Sequence, residues 1–229
     1  ASIAQQDGLI KMSGGQALKS IDIKIPADLS SAAFFILLGS IYPNIELYIK
    51  DVGINPTRTG VISILKKMGA RIELRNIRSY GQEPVADIVV ISSNLSGIEV
   101  DPSLVSLAID EFPILFVAAA CANGVTKFTG IRELRFKESD RIASMARSLV
   151  AMGIRIEYDD DSATIHGGTL SGGCEIDSQG DHRIAMASII GALTCDEKVL
   201  IKNVKNINTS FPSFTECLKS LNANTSLFI

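Results

Sequence analysis

The sequence predicts an α/β protein made of three β-α-β-α-β-β units, with mixed sheets packed around helices. Three observations lead there. Short alternating runs suited to strands take turns with longer apolar runs suited to helices. Asp28 to Thr57, Asp110 to Ser139 and Asp181 to Ser210 are each 29 positions apart, and each later residue is a hydroxyl opening a second helix. The strand before each first helix reads Ile21-Asp22-Ile23, Ile98-Glu99-Val100 and Cys174-Glu175-Ile176. A period of roughly 70–85 residues exceeds the ~20–50 of solenoid repeats, so three units are expected to close around a common core.

The first unit covers about residues 20–96. Residues 1–19 before it are polar, with Gly14-Gly15, and read as a short strand and a linker. Ile21–Ile25 alternates and is expected to be a strand. Pro26 and Asp28 then open an apolar helix over 31–39, with Asp28 or Ser30 as its cap. A strand follows at Ile45–Ile49. Asn55-Pro56-Thr57-Arg58 opens a second helix, Val61–Met68, which Gly69 ends. Strands at Arg71–Arg75 and Asp87–Ile91 complete the unit.

The second unit, about 97–171, repeats the order. Ile98–Val100 is a strand and Phe112–Cys121 a helix. Val125–Thr129 is a strand and Glu138–Met152 a helix that stops at Gly153. Arg155–Tyr158 and Ala163–His166 are strands. The third unit, 172–229, has strands at Cys174–Ile176 and Val199–Lys202. Its helices follow Asp181, running through Leu193, and span Phe214–Leu221. A last strand is expected near Ser226–Ile229. The register puts Phe35, Phe116 and Ile189 on the buried faces of the three first helices.

Chemistry concentrates in Arg132–Arg141, which reads RELRFKESDR: four cations, three carboxylates and two apolar side chains. An apolar helical pattern follows through Ile142, Met145, Leu149 and Met152, so the charges fall at a helix N-terminus, where backbone N–H groups attract anions. On a helix Lys137, Glu138 and Arg141 would share a face. Asp110 stands just before a wholly apolar helix, where capping and a catalytic role are compatible. Arg183, at the mouth of another apolar helix, calls for an anionic partner, and Asp181 could be it. His182, one of two histidines, reads as structural. If the units pack in parallel, their helix N-termini meet on one face and favour a polyanion.

Composition narrows the classes. The chain has 229 residues, 46% hydrophobic and 21% charged, with a formal net charge of −3. No broad basic field suggests nucleic acid, and no apolar run approaches the ~18 residues of a membrane span. Cys121, Cys174, Cys195 and Cys217 form no CxxC, and no His/Cys/carboxylate set has metal-ligand spacing, so neither structural zinc nor another metal is expected. The GxGxxG and GxxxxGK[ST] fingerprints are absent. Free thiols and the lack of a signal-peptide pattern point to a reducing, cytoplasmic setting. The chain does not begin with Met, which suits a fragment.

The runs NPTRTG (55–60), DEFPILFVAAACANG (110–124), RELRFKESDR (132–141), GDHRIAM (180–186) and TSFPSF (209–214) resemble the 5-enolpyruvylshikimate-3-phosphate synthase family. The resemblance covers nearly the whole chain, and KESDR with DHRIAM is specific. It implies the enolpyruvyl transferase fold, in which members about twice this length form two domains of three such units. Residues 1–19 would then be the end of a preceding domain and a linker, and 20–229 the C-terminal domain. The implied activity transfers the enolpyruvyl group of phosphoenolpyruvate to the 5-hydroxyl of shikimate 3-phosphate, in aromatic amino acid biosynthesis, with glyphosate as inhibitor and no cofactor.

The resemblance implies roles residue by residue. Asp110 would contact the 5-hydroxyl and take its proton. Glu138 would protonate the phosphoenolpyruvate methylene. Lys137 would contact shikimate 3-phosphate, and Arg141 and Arg183 would hold phosphoenolpyruvate. Many members carry a lysine where Thr209 stands, so one cationic contact is lost at that position. The missing N-terminal domain would supply the other wall of the cleft, so the chain should fold but not catalyse alone. The alternatives are a UDP-N-acetylglucosamine enolpyruvyl transferase, which normally carries a reactive cysteine in its first domain, and a non-catalytic binding module of the same fold.

Overall fold

The computed structural model describes residues 2–221. The strand expected near Ser226–Ile229 lies outside the described residues. The chain opens with an antiparallel hairpin, β1 (Ile3–Gln6) and β2 (Leu9–Met12), with Ile3 opposite Met12. Asp7 and Gly8 both have positive φ, as a tight two-residue turn between twisted strands requires.

The strand expected at Ile21–Ile25 does not form. Ile21, Ile23 and Ile25 are exposed, and pairing begins only at Ala27, which bridges in parallel to Val52. Alternation prescribes a strand only where a neighbour can take its hydrogen bonds. Here β3 (Glu46–Gly53) runs alongside, but it bulges between Ile49 and Val52 with Asp51 at positive φ, just where the ladder would continue, and Pro26 lacks an N–H to extend it. The second unit is similar: Ile98–Val100 contributes one parallel bridge, Glu99 to Lys127, instead of a strand. Only the third unit keeps its leading strand, β9 (Glu175–Asp177).

Three central helices carry the core. α1 (Leu29–Ile41), α3 (Phe112–Ala120) and α5 (His182–Ala192) pack against one another, and each is apolar nearly all round, as helices without a solvent face must be. Phe35, Phe116 and Ile189 are all buried. Aromatic pairs tie in neighbours: the Phe116 ring stacks on Phe128 at 5.0 Å between centroids, and Phe35 meets Phe214 edge-on at 5.7 Å.

The second helices lie outside. α2 (Gly60–Lys67) and α4 (Arg141–Ala151) are amphipathic, and α7 (Phe214–Ser220) follows the short α6 (Ile207–Ser210). α2 and α7 match their expected spans to within a residue or two. α4 does not: it starts at Arg141, three residues later than expected. Asp140 caps it by accepting from the Ala143 N–H at 3.0 Å, and Arg132–Phe136 forms a separate 3-10 turn. Lys137 and Glu138 are therefore loop residues ahead of the helix rather than members of its first turn.

Each of the first two units closes with a three-stranded antiparallel sheet. β3 (Glu46–Gly53), β4 (Arg71–Tyr80) and β5 (Glu83–Ile91) pair in the order β3-β5-β4. β6 (Val125–Thr129), β7 (Arg155–Tyr158) and β8 (Ser162–His166) pair as β6-β8-β7. β9 pairs in parallel with β10 (Leu200–Lys202). In the first sheet both outer strands are bulged, with Asp51 and Asn76 at positive φ. The Asp87 carboxylate on the central strand holds both bulges, accepting from the Asp51 N–H, Tyr48 Oη, Asn76 Nδ2 and Arg78 Nη2. Those donors hold its carboxyl well below the usual range.

No helix among the described residues is long and apolar enough to cross a membrane. Among them, too, no cluster of His, Cys, Asp or Glu is arranged to hold a metal ion. The four cysteines are free thiols.

Candidate active site

The repeat departs from its own pattern at one position, and the site is built there. α1 is capped by Asp28, whose Oδ2 accepts from the Ser31 N–H at 2.8 Å. α5 is capped by Asp181, whose Oδ1 accepts from the Arg183 N–H at 2.9 Å. Asp110, the equivalent residue of the second unit, caps nothing. A 3-10 turn, Ile109–Glu111, leads directly into α3, which has no side-chain cap. Pro113 in the first turn costs little, because N–H groups there have no intrahelical acceptor. Relieved of capping, the Asp110 carboxylate turns to three cations.

Lys137 Nζ lies 3.4 Å and Arg141 Nη1 3.5 Å from Asp110 Oδ1. Arg183 Nη2 lies 3.9 Å from Oδ2, while its Nη1 donates to the Asp110 carbonyl at 3.0 Å. Burial opposes ionisation of Asp110, but Arg183, Lys137 and Arg141 outweigh it and hold the carboxyl below its usual range. The Lys137 ammonium also meets Glu133 at 2.8 Å; that bond foremost raises its pKa, and Asp110 adds to the effect.

Arg141 is the first residue of α4 and is only 1% exposed. Its Nε donates to Asp181 Oδ2 at 2.9 Å and its Nη2 to Glu138 Oε2 at 2.5 Å. Its Nη1 is buried without a hydrogen-bond partner among the described residues. Asp181, fully buried, also accepts from Ser139 Oγ at 3.1 Å, and these bonds offset the cost of burying the pair. Asp181 is thus the partner of Arg141; it meets Arg183 only through the backbone. The carboxylate partners of the Arg183 side chain are Asp110 and Glu111. Glu138 remains about half exposed at the rim. Burial, reinforced by Arg183, lowers the His182 pKa.

Asp110, Lys137, Glu138, Arg141 and Arg183 therefore share one face. Ser30, Glu111, Arg141 and Asp181 bring the N-termini of α1, α3, α4 and α5 to it, so their partial positive ends add to the cations. Thr209 is exposed on α6 and adds no charge. Three residues that sequence reasoning did not assign to the site complete it. Glu111 is buried, accepts from Ser30 Oγ at 2.5 Å and lies 3.6 Å from Arg183 Nη1; Arg58 Nη2 donates to Ser30 Oγ at 2.7 Å. A signal for Ser30 was available: it follows Asp28 by two positions, as Arg183 follows Asp181.

A sequence model described as EPSP synthase (3-phosphoshikimate 1-carboxyvinyltransferase) matches residues 1–218. A 3-phosphoshikimate 1-carboxyvinyltransferase of Legionella pneumophila (strain Corby) is 51% identical over 209 residues, covering 91% of this chain and 48% of that protein. One from Magnetococcus marinus is 47% identical over 223 residues, covering 96% and 50%. The solved EPSP synthase of Acinetobacter baumannii superposes with TM-score 0.91 at 44% identity, covering 96% of this chain and 51% of that one. The enolpyruvyl transferase NikO from Streptomyces tendae, at TM-score 0.64 and 19% identity, shares the fold. The chain spans about half the length of the curated relatives it matches. With a family model matching residues 1–218 and relatives about half identical over most of the chain, this chain belongs to the EPSP synthase (3-phosphoshikimate 1-carboxyvinyltransferase) family.

Proposed function

We propose that this chain forms one wall of a site that transfers the enolpyruvyl group of phosphoenolpyruvate to the 5-hydroxyl of shikimate 3-phosphate. The observation that carries the reading is Arg141: a guanidinium removed from water, held by Asp181 and Glu138, with Nη1 lacking any hydrogen-bond partner among the described residues. A buried donor with no such bond, held among the described residues only by the 3.5 Å ion pair to Asp110, suits an incoming anion.

The chemistry needs an acid and a base. The enol carbon is a poor electrophile until its methylene takes a proton, which Glu138 at the rim would deliver. Asp110 would accept the proton of the 5-hydroxyl as that oxygen bonds to the enol carbon. Glu138, now a carboxylate, would take back a methyl proton as the carbon–oxygen bond to phosphate breaks, which releases phosphate and forms the enol ether of the product. Arg141 and Arg183 would hold the carboxylate and phosphate of phosphoenolpyruvate, and Lys137 the phosphate of shikimate 3-phosphate. The three cations beside it make Asp110 a weak base. Substrate anions that draw those cations away would raise its basicity when it is needed.

The other wall would come from an N-terminal domain of the same polypeptide, with residues 1–19 (the β1–β2 hairpin, where the sequence suggested a single strand, and the stretch after it) as its end and linker and 20–229 as the C-terminal domain. One open wall neither excludes water nor fixes both substrates. The free thiols suit a reducing compartment, the basis for assigning the reaction to the cytoplasm. The test is reconstitution. Phosphate release from the two substrates should be undetectable with the chain alone, return on adding the folded other half, and vanish again with Asp110→Ala or Glu138→Ala. Silence in the presence of a folded other half would overturn the reading.

A further inference from the structure

We propose that Glu111 is a positioning residue that locks the Arg183 guanidinium, and that Ser30 and Arg58 of the first unit hold Glu111 for that purpose. The inference rests on the reading of Arg183 as a phosphoenolpyruvate-binding group. Asp110 alone cannot fix Arg183, because its side-chain contact is the long one at 3.9 Å and it is shared with Lys137 and Arg141. What orients Arg183 Nη1 is the pair formed by the Asp110 carbonyl at 3.0 Å and Glu111 Oε1 at 3.6 Å.

Glu111 is 3% exposed, ahead of an apolar helix, where an ionised carboxylate is costly without compensation. Burial pushes its pKa up, and Ser30, Arg183 and Arg58 work against that rise. The compensation comes from two other units. Ser30 Oγ, on the first turn of α1, donates to Glu111 Oε1, and Arg58 Nη2, from the turn before α2, donates to Ser30 Oγ. Arg58, Ser30, Glu111 and Arg183 thus form a chain that crosses all three units and ends at the candidate anion site. A carboxylate retained there opposes anion binding by charge, so a positioning role and a bystander role predict opposite signs.

That sign is the test, made on the 229-residue chain with two readouts. Without ligand, 15N NMR of the Arg183 guanidinium, assigned by its loss in Arg183→Lys, reports the rate of rotation about Nε–Cζ. Wild type should show slow, resolved Nη signals. Glu111→Gln should speed the rotation at least about tenfold while the backbone amide spectrum stays native-like, Glu111→Asp should lie between, and Ser30→Ala should follow Glu111→Gln more weakly. With phosphoenolpyruvate as probe, Glu111→Gln should bind about tenfold more weakly although the face has become more positive. If Glu111→Gln does not fold, Ser30→Ala, which removes one hydroxyl, carries both measurements. Unchanged Arg183 signals in these variants, or tighter phosphoenolpyruvate binding, would overturn the proposal. If wild type binds no phosphoenolpyruvate even with the folded other half added, while Arg183 order still follows Glu111, the positioning role stands and the proposed function falls.

Discussion

Arg141 Nε donates to Asp181 Oδ2 over 2.9 Å, and neither side chain has appreciable contact with solvent although 40 positions separate them. This pair joins the first turn of α4 to the cap of α5. It also sets the guanidinium whose Nη1 faces Asp110. Replacing Asp181 by Ala would leave the buried Arg141 Nε without its acceptor and α5 without its cap. Breaking a buried pair in this way costs about 3–5 kcal/mol. Urea unfolding followed by circular dichroism should show a loss of that size for Asp181→Ala. A loss below about 1 kcal/mol would mean that the pair does not anchor α4 to α5.

The same carboxylate makes a pH prediction. Burial opposes its charge, but the hydrogen bond and charge of Arg141, with the Arg183 N–H and Ser139, prevail and lower its pKa in the folded chain. A depressed folded pKa means that the stabilisation is complete above the unfolded value of about 3.9 and is lost as pH falls through the lower folded value. Thermal midpoints of the wild-type chain should therefore drop steeply below about pH 4. Asp181→Asn should start lower and fall less steeply through the same window. Parallel curves would rule out Asp181 as a source of acid sensitivity.

Arg183 should not tolerate lysine. Its planar fork reaches the Asp110 carbonyl through Nη1 and the Asp110 carboxylate through Nη2, a geometry that an ammonium cannot reproduce. Isothermal titration with phosphoenolpyruvate should show binding weakened about tenfold to a hundredfold in Arg183→Lys, the worth of one lost charge-assisted bond. An Arg75→Lys control, whose side chain is half exposed and pairs with Glu73, should leave affinity unchanged.

Gly60 tests how the first unit docks on the second. A Cβ built there would lie 2.7 Å from the Leu107 carbonyl carbon, a backbone atom that cannot swing aside. The Gly60 N–H also donates to Leu107 O at 3.1 Å, so helix and loop are held close. Gly60→Ala should destabilise by about 1–3 kcal/mol through overpacking, despite the better helix propensity of alanine. It should also shift the amide signals of Arg58 and Ser30, the residues nearest this junction that support Glu111. A stabilised variant would show that the contact is looser than described.

The three-unit α/β plan, the apolar central helices and most element boundaries were legible in the chain before any folding was known. Apolar periodicity, the 29-residue register and glycine stops such as Gly69 and Gly153 are local signals, and local hydrogen bonding obeys them. The sequence also marked Asp110, Lys137, Glu138, Arg141 and Arg183, because charge set among apolar helices stands out. Tertiary structure alone decided the rest. Ile21–Ile25 alternates like a strand but lacks a ladder partner, and partners are a property of the assembled fold. The late start of α4 at Arg141 depends on Asp140 taking the cap while Arg135 holds its other oxygen at 2.6 Å. Asp181 pairs with Arg141 rather than with the adjacent Arg183 side chain, and Glu111 gains its role only when Ser30 is brought to it from 81 positions away. Such pairings are set by which helix ends meet, and that geometry exists only once the three central helices have packed.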